Sequence, residues 1–214
     1  MKKFFLRSLS VMMWIVSKIY PYRLSQRIRA YRDVLYTMWV QSFIGHIGNN
    51  VTIVYSSTFN GGGFDSVEIG DGTIIYKNCI IESWRRYIQQ EFTPSLKIGK
   101  NCRIGEFTHI TTIHRVIIGD NLLTGRFVII TDHSHGKNLT ESELDVPPAL
   151  RTLYSKGEVV IGNNVWIGDK VSILPNSHIG NNVIIGSNAV VTGDFPDNCV
   201  IAGIPAKIVK RIEI

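Results

Sequence analysis

The stretch FVIITDHSHGKN, residues 127–138, places an aspartate and two histidines directly after an apolar run. Imidazole has an ordinary pKa of about 6.5, so at neutral pH its uncharged form can take a proton from a hydroxyl. His133 begins the polar segment, which favours it as a general base at the mouth of a loop. Asp132 could orient that imidazole, but alternation along a strand would point it the other way, which favours a structural role.

A six-residue repeat surrounds this cluster. From Ile161 the chain divides into IGNNVW, IGDKVS, ILPNSH, IGNNVI, IGSNAV and VTGDFP, and the same frame recurs upstream from Ile47, Ile69, Ile98 and Ile118. Each hexad opens on a branched aliphatic residue and carries a small or apolar fifth residue. This period predicts a mainly β solenoid in which each hexad is a short strand plus a turn, and three hexads close one triangular coil.

The frame also assigns positions within each coil. First-position Ile or Val should point inward, the fifth residue should fill the space beneath it, and Asn or Gly should occupy corners that need positive φ. Cys79 and Cys102 are fifth residues, so we predict buried core side chains rather than reactive thiols. With Cys199 they are too few and too scattered for a disulfide framework or a zinc knuckle, which favours a reducing, cytoplasmic setting.

Different patterns mark the two ends, and we predict an N-terminal helical cap over 1–43, a solenoid over 44–200 and a closing segment over 201–214. The cap should pack on the first coil through an apolar stripe at helical spacing: Leu24, Ile28, Tyr31, Leu35 and Met38.

The first twenty residues contain an apolar run that is shorter than a membrane span needs, and no signal-peptide cleavage pattern follows it. They predict a helix that lies on a membrane surface or packs on the protein. The net charge of +6 is concentrated at the ends and favours an anionic surface or ligand, whereas nucleic acid is not expected.

Three excursions interrupt the solenoid. Residues 60–67 are Gly-rich, residues 82–96 carry Trp84, Arg85, Arg86 and Tyr87, and the longest loop runs from about 133 to 158. Long loops in a compact repeat are decoration or functional, and here the longest begins at His133.

The run IGNNVWIGDKVSILPNSHIGNNVIIGSNAVVTGDFP followed by AGIPAKIVKRI resembles the hexapeptide-repeat acyltransferases, and among them the enzymes that O-acetylate sugars. The similarity covers about Ile44 to Arg211, with TDHSHG, SKG, VWIG and AGIPAK in that order. It implies a left-handed parallel β-helix, acetyl-CoA as co-substrate without a metal, and homotrimers with active sites between subunits. The implied function is O-acetylation of a sugar hydroxyl in surface polysaccharide (O-antigen or capsule) synthesis. The basic N-terminal helix favours a membrane-proximal acceptor, with the protein in the cytoplasm and in peripheral contact with the inner face of the membrane.

The resemblance also implies roles for single residues. His133 would be the catalytic base, with a backbone N–H stabilising the oxyanion and no covalent acyl-enzyme. The implied coenzyme residues are Trp166, Asp169, Ser187, Thr192, Gly193, Lys207 and Lys210. The candidates for contact with the acceptor are Trp84, Arg85, His109, Asp132 and His135. Ordinary packing, a solvated basic tail and contacts between subunits remain alternatives for these residues.

Other functions stay open at this point. Transfer to an amino group of an amino sugar or a xenobiotic is compatible with TDHSHG. A zinc carbonic anhydrase of the same fold would need three histidines, and none lies between His46 and His109 to complete a set with His109 and His114. A scaffold without activity is expected to have an uninterrupted repeat, unlike this chain.

Overall fold

The structure, a computed structural model, describes residues 2–137 and 141–213, so part of the predicted long loop, 138–140, lies outside the described residues. Its helices are α1 (Lys2–Ile19), α2 (Tyr22–Gln41) and the short α3 (Glu141–Leu144), with 3-10 turns at Phe64–Ser66 and Pro148–Leu150. The strands are β1 His46–Ile47, β2 Thr52–Ile53, β3 Thr58–Asn60, β4 Val67–Ile69, β5 Ile74–Ile75, β6 Ile80–Ser83, β7 Arg86–Tyr87, β8 Gln90–Glu91, β9 Ser95–Ile98, β10 Arg103–Ile104, β11 His109–Thr112, β12 Arg115–Ile118, β13 Leu123–Thr124, β14 Ile129–Thr131, β15 Ser134–His135, β16 Leu153–Tyr154, β17 Val159–Ile161, β18 Trp166–Ile167, β19 Ser172–Ile179, β20 Ile184–Ile185, β21 Val190–Phe195, β22 Cys199–Gly203 and β23 Ala206–Arg211.

The strands stack in three parallel ladders, as the hexad frame predicts. One runs β2-β5-β10-β13-β18-β20-β22 and ends on the antiparallel strand β23. The others run β1-β4-β9-β12-β17 and β3-β6-β11-β14, and both continue into β19, which turns from one ladder into the other. The chain thus passes from ladder to ladder and returns one strand spacing further along, about 4.8 Å.

Branched aliphatic residues fill the space between the ladders. Ile53 lies in register with Ile75, and Ile75 with Ile104, and all three are fully buried. Fifth residues of the hexads are buried beside them, including Cys79 and Cys102, which confirms the prediction for these cysteines. Burial raises the pKa of the Cys79 thiol to about 11, so it stays protonated at neutral pH.

Asparagine at the fourth hexad position forms one corner of the solenoid. Asn121, Asn164, Asn182 and Asn198 all have positive φ, which asparagine tolerates better than most residues. Their amides join in a ladder, with Nδ2 to Oδ1 distances of 2.9, 3.1 and 2.8 Å along the chain order. The ladder links consecutive coils from outside the core.

Helix α2 covers the first coil, but through a different face from the predicted one. The buried residues of α2 are Thr37 and Val40. Thr37 Oγ1 accepts the Ile53 amide at 2.9 Å, and Asp33 Oδ1 accepts the Tyr55 amide at 3.1 Å. The cap therefore satisfies amides of the first coil with polar side chains. The stripe predicted to pack on that coil, from Leu24 to Met38, is exposed on the opposite side, so that prediction was wrong.

Two excursions form small hairpins that dock on each other. β7 pairs with β8, and β15 pairs with β16, both antiparallel. The Tyr87 hydroxyl donates to the Ala149 carbonyl at 2.6 Å, and the Gln90 amide exchanges hydrogen bonds with the backbone of Leu153 at 3.1 and 2.7 Å. The 82–96 excursion thus packs against the long loop of its own chain. Within residues 2–137 and 141–213, no helix is long and apolar enough to cross a membrane.

Candidate active site

His133 stands where β14 ends and the long loop begins. β14 ends at Thr131, whose hydroxyl contacts the His133 amide at 3.3 Å and the His133 carbonyl at 3.1 Å. The His133 side chain is 10% exposed and therefore held by its surroundings while still reachable. The end of β14 and the Thr131 hydroxyl thus fix the backbone beneath the His133 imidazole.

Asp132 lies buried beneath this imidazole. Its Oδ1 accepts the Ile113 amide at 3.0 Å and lies 2.9 Å from His133 Nδ1. Its Oδ2 accepts the amides of His114 and Arg115 at 2.9 and 2.7 Å and a hydrogen bond from the Thr112 hydroxyl. One carboxylate thus anchors the turn after β11 and also orients the imidazole.

The charge of Asp132 follows from these contacts. Burial raises the pKa of its carboxyl, but hydrogen bonds from His133, Thr112 and the backbone amides outweigh burial and hold the pKa below its ordinary value. An ionised carboxylate only accepts, so neutral His133 carries its proton on Nδ1 and leaves Nε2 free as a base. Asp132 itself is fully buried, so it faces the imidazole rather than open solvent, and its predicted contact with a substrate stays a prediction.

Two grooves meet at His133. The C-terminal groove, a cavity of about 440 Å³, is lined by His133 with Ser134, Lys156, Pro175, Asn176, Thr192 and Gly193. The N-terminal groove, a cavity of about 300 Å³, is lined by His133 with Glu82, Trp84, Tyr87, His109, Thr111 and His135. A group placed in each groove would reach the same imidazole.

The C-terminal groove brings together two of the seven predicted coenzyme residues, Thr192 and Gly193. Gly193 has φ +90° and open space where a side chain would stand, so the groove stays wide at this point. Lys156, from the SKG motif, was missed as a site residue. Its position in the sequence could have identified it, since Lys156 lies just before the long loop returns to the solenoid at β17.

The other five predicted coenzyme residues lie elsewhere on this chain. Trp166 on β18 and Lys210 on β23 belong to the ladder of β2, and Lys207 is on the same final strand. Asp169 and Ser187 lie at the corner after that ladder, where Asp169 Oδ1 accepts the Arg126 amide at 2.7 Å. A single chain therefore does not bring these five to His133.

The N-terminal groove contains a hydrogen-bonded polar cluster centred on Glu82. Its Oε2 accepts from His109 Nε2 at 3.0 Å and from Trp84 Nε1 at 3.1 Å. The bond from His109 holds the pKa of the Glu82 carboxyl below its ordinary value, although partial burial acts in the opposite direction. The Thr111 side chain lines the same groove, and its hydroxyl is buried near the Glu82 carboxylate.

The groove gathers three of the predicted acceptor residues, Trp84, His109 and His135, around His133. Arg85 points elsewhere, because its guanidinium pairs with Asp65 at 2.5 Å. Glu82 was missed, since a lone glutamate at the start of an excursion carries no signal in the sequence. His178, on β19, pairs with Asp194 at 2.6 Å on the exposed surface, away from both grooves.

Within the two described ranges, no three His, Cys, Asp or Glu side chains come together as a metal-binding group.

Comparison with known proteins identifies the family. Residues 158–193 match the family described as bacterial transferase hexapeptide (six repeats). The chain is 37% identical over 161 residues to WbbJ of Escherichia coli K12, which carries the name of a lipopolysaccharide biosynthesis O-acetyl transferase, and this covers 64% of the chain and 82% of WbbJ. It is 34% identical to the galactoside O-acetyltransferase of the same organism, over 56% of each chain.

Solved structures share the fold. AntD, an N-acyltransferase from Bacillus cereus in complex with dTDP and 3-hydroxybutyryl-CoA, superposes with a TM-score of 0.66 and 18% identity, over 83% of this chain and 88% of AntD. At that identity the likeness concerns the fold alone. The matching repeat, the relation to WbbJ over most of its length and the shared fold confirm the resemblance predicted from the sequence: this chain belongs to the hexapeptide-repeat acyltransferase family.

Proposed function

We propose that this protein is an acetyl-CoA-dependent O-acetyltransferase that acetylates a sugar hydroxyl in surface polysaccharide synthesis, such as that of O-antigen or capsule. The observation that carries the proposal is the position of His133, which lines both grooves while its Nδ1 is held by a buried carboxylate. The names of WbbJ and of the galactoside enzyme support transfer of the acetyl group to a sugar hydroxyl.

The reaction needs one base and two adjoining sites. His133 Nε2 takes the proton of the acceptor hydroxyl as its oxygen attacks the thioester carbonyl. The tetrahedral intermediate then expels the CoA sulfur, which recovers the proton from the imidazolium, so atoms and charge balance without an acyl-enzyme. Asp132 keeps the ring in one orientation and stabilises its transient positive charge.

The C-terminal groove suits the acetyl donor. Its walls combine the apolar surface of Leu174 and Pro175 with small residues at Thr192 and Gly193, which leaves an open path beside His133. Lys156 lines the same groove and supplies a cation that favours the negative charge developing on the carbonyl oxygen.

The N-terminal groove suits a sugar. Trp84 and Tyr87 supply aromatic surface, and the Glu82 carboxylate can accept a hydrogen bond from a second hydroxyl of the sugar. An acceptor seated here would present one hydroxyl to His133.

We further propose a homotrimer with left-handed coils, as in the family. The support is the division of the coenzyme residues between two faces, because the face carrying Trp166, Lys207 and Lys210 could complete the groove of a neighbouring copy. A cytoplasmic setting agrees with three buried free thiols and with the need for acetyl-CoA.

An acceptor screen tests the function. Purified protein is incubated with acetyl-CoA and sugars that offer hydroxyl or amino groups, and free CoA and acetylated products are measured. We expect O-acetylated sugar from the wild type, loss of more than about a hundredfold in His133→Ala, and normal turnover in the control His178→Ala. Equal turnover by His133→Ala, or acetylation of amines alone, would overturn the proposal.

A further inference from the structure

Helix α1 carries its apolar side chains in the open. No residue of α1 (Lys2–Ile19) is buried against the described part of the chain. Phe4, Phe5 and Ile19 are 78%, 67% and 74% exposed. An unpartnered apolar surface of this length marks a site of interaction, because water disfavours contiguous apolar area.

The two sides of α1 differ in chemistry. At 100° per residue, Lys3, Arg7 and Lys18 fall within a sector of about 100° that also holds two serines and Trp14. The ammonium of Lys18 lies 5.5 Å from the centre of the Trp14 ring. The rest of the circumference is apolar apart from Lys2 and Ser8, with Phe4, Phe5, Leu6, Leu9, Val11, Met12, Met13, Ile15, Val16 and Ile19.

Helix α2 exposes a second apolar surface. Its inner side is fixed on the first coil by Thr37 and Asp33. Its outer side exposes the stripe from Leu24 to Met38, so this stripe points away from the solenoid. Residues 1–32 contain no acidic residue and eight cations: Lys2, Lys3, Arg7, Lys18, Arg23, Arg27, Arg29 and Arg32.

We propose that α1 and the outer stripe of α2 dock on an anionic lipid bilayer. The apolar side of α1 would lie in the plane of the interface, with its lysines and arginine at the headgroups, because its polar side runs the length of the helix. Charge decides against a second copy as the occupant. Two such surfaces would bring one cation-rich cap against another, with Arg32 already paired to Asp33 at 3.1 Å, whereas anionic headgroups would neutralise the remaining cations.

The cap then fixes the solenoid relative to the membrane. α2 sits on the first coil, and β14, which leads to His133, is the fourth strand of its ladder after β3, β6 and β11. At about 4.8 Å per coil, the base lies roughly 15 Å from the first coil along the stack.

Vesicle sedimentation of the full chain tests the docking. Wild type is mixed with vesicles of phosphatidylcholine and phosphatidylglycerol at about 2:1 or of phosphatidylcholine alone, at low and high salt. One variant, Phe5→Gln/Met12→Gln, breaks the apolar side, and another, Lys3→Gln/Arg7→Gln/Lys18→Gln, removes charge. The matched control Ser10→Gln/Ser17→Gln alters the polar side of the same helix.

We expect wild type and control to bind anionic vesicles within about twofold of each other. The apolar variant should bind more than about tenfold more weakly, and the charge variant about a hundredfold more weakly at low salt, from about fivefold per cation. Acetylation of a soluble sugar should stay unchanged in all variants. If acetylation is absent while vesicle binding follows this pattern, the docking holds and only the proposed enzymatic function fails.

Two results would overturn the docking: the wild type stays in the supernatant with anionic vesicles, or the apolar variant binds them like the wild type. In the first case, a drop in oligomer mass in the apolar variant would show that a second copy covers the helices.

Discussion

Asp132→Asn separates the two roles of the buried carboxylate. The carboxylate contacts five donors: the amides of Ile113, His114 and Arg115, the Thr112 hydroxyl and His133 Nδ1. An amide group keeps only one accepting oxygen, so either orientation leaves at least two of these donors facing an NH₂ group. At about 1.5–3 kcal/mol for each hydrogen bond to a charged group, we expect a loss of stability of about 3–6 kcal/mol.

The catalytic effect should exceed what this loss of stability explains. The orientation that leaves fewer donors unsatisfied turns the NH₂ group toward His133 Nδ1 and the Ile113 amide. His133 is then no longer held with its proton on Nδ1, and the fraction of rings with Nε2 free and correctly placed falls. We expect kcat to fall about 10²–10⁴-fold, as for loss of a general base, with KM for acetyl-CoA and acceptor little changed.

The matched control is Thr112→Val. It removes one donor to the same carboxylate, at a buried site, without touching His133. It should lower stability by about 1–3 kcal/mol and leave kcat within a few-fold. Both variants are assayed for turnover per folded molecule, with the folded fraction from circular dichroism. If Asp132→Asn keeps wild-type kcat on that basis, the carboxylate is structural only and the orientation argument is wrong.

Three further predictions concern the grooves, the assembly and pH. Glu82→Gln should raise the KM for the acceptor about tenfold without changing the KM for acetyl-CoA. Arg85→Ala, outside the groove, should leave both KM values unchanged. If steady-state kinetics show the same change in both KM values, or the same change in both variants, the N-terminal groove is not the acceptor site. If neighbouring copies share a site, inactive His133→Ala and Lys210→Ala chains refolded together at equal amounts should recover about a quarter of wild-type sites, and no recovery would argue for sites within one chain. Asp132 and Glu82 have folded-state pKa values below their ordinary ones. Their contribution to the free energy of unfolding is therefore complete above about pH 4 and is lost as pH falls through the folded-state values. The urea midpoint should fall less steeply between pH 7 and pH 3 in Asp132→Asn than in the wild type.

The hexad frame allowed the interior to be predicted residue by residue. Cys79 and Cys102 are buried because a fifth residue always points into the coil, and the fourth-position asparagines have positive φ because each coil must turn there. These features are local and repeat many times, so one sequence contains enough examples to reveal them.

Features that depend on a single contact were less predictable. The α2 stripe was assigned inward because it is apolar, but the end of the solenoid offers backbone amides, and Asp33 and Thr37 satisfy those. Asp132 was expected to point away from His133 because residues alternate in a strand, yet β14 ends at Thr131 and alternation stops there. Glu82 meets His109 only through ladder pairing across 27 residues.

The central claim is that His133 lies where donor and acceptor meet, and a crystal structure of the protein with CoA bound tests it most directly. We predict the CoA sulfur in the C-terminal groove beside Thr192 and Gly193, within about 4 Å of His133 Nε2. A CoA sulfur bound away from both grooves, with the His133 ring turned to solvent, would contradict the account.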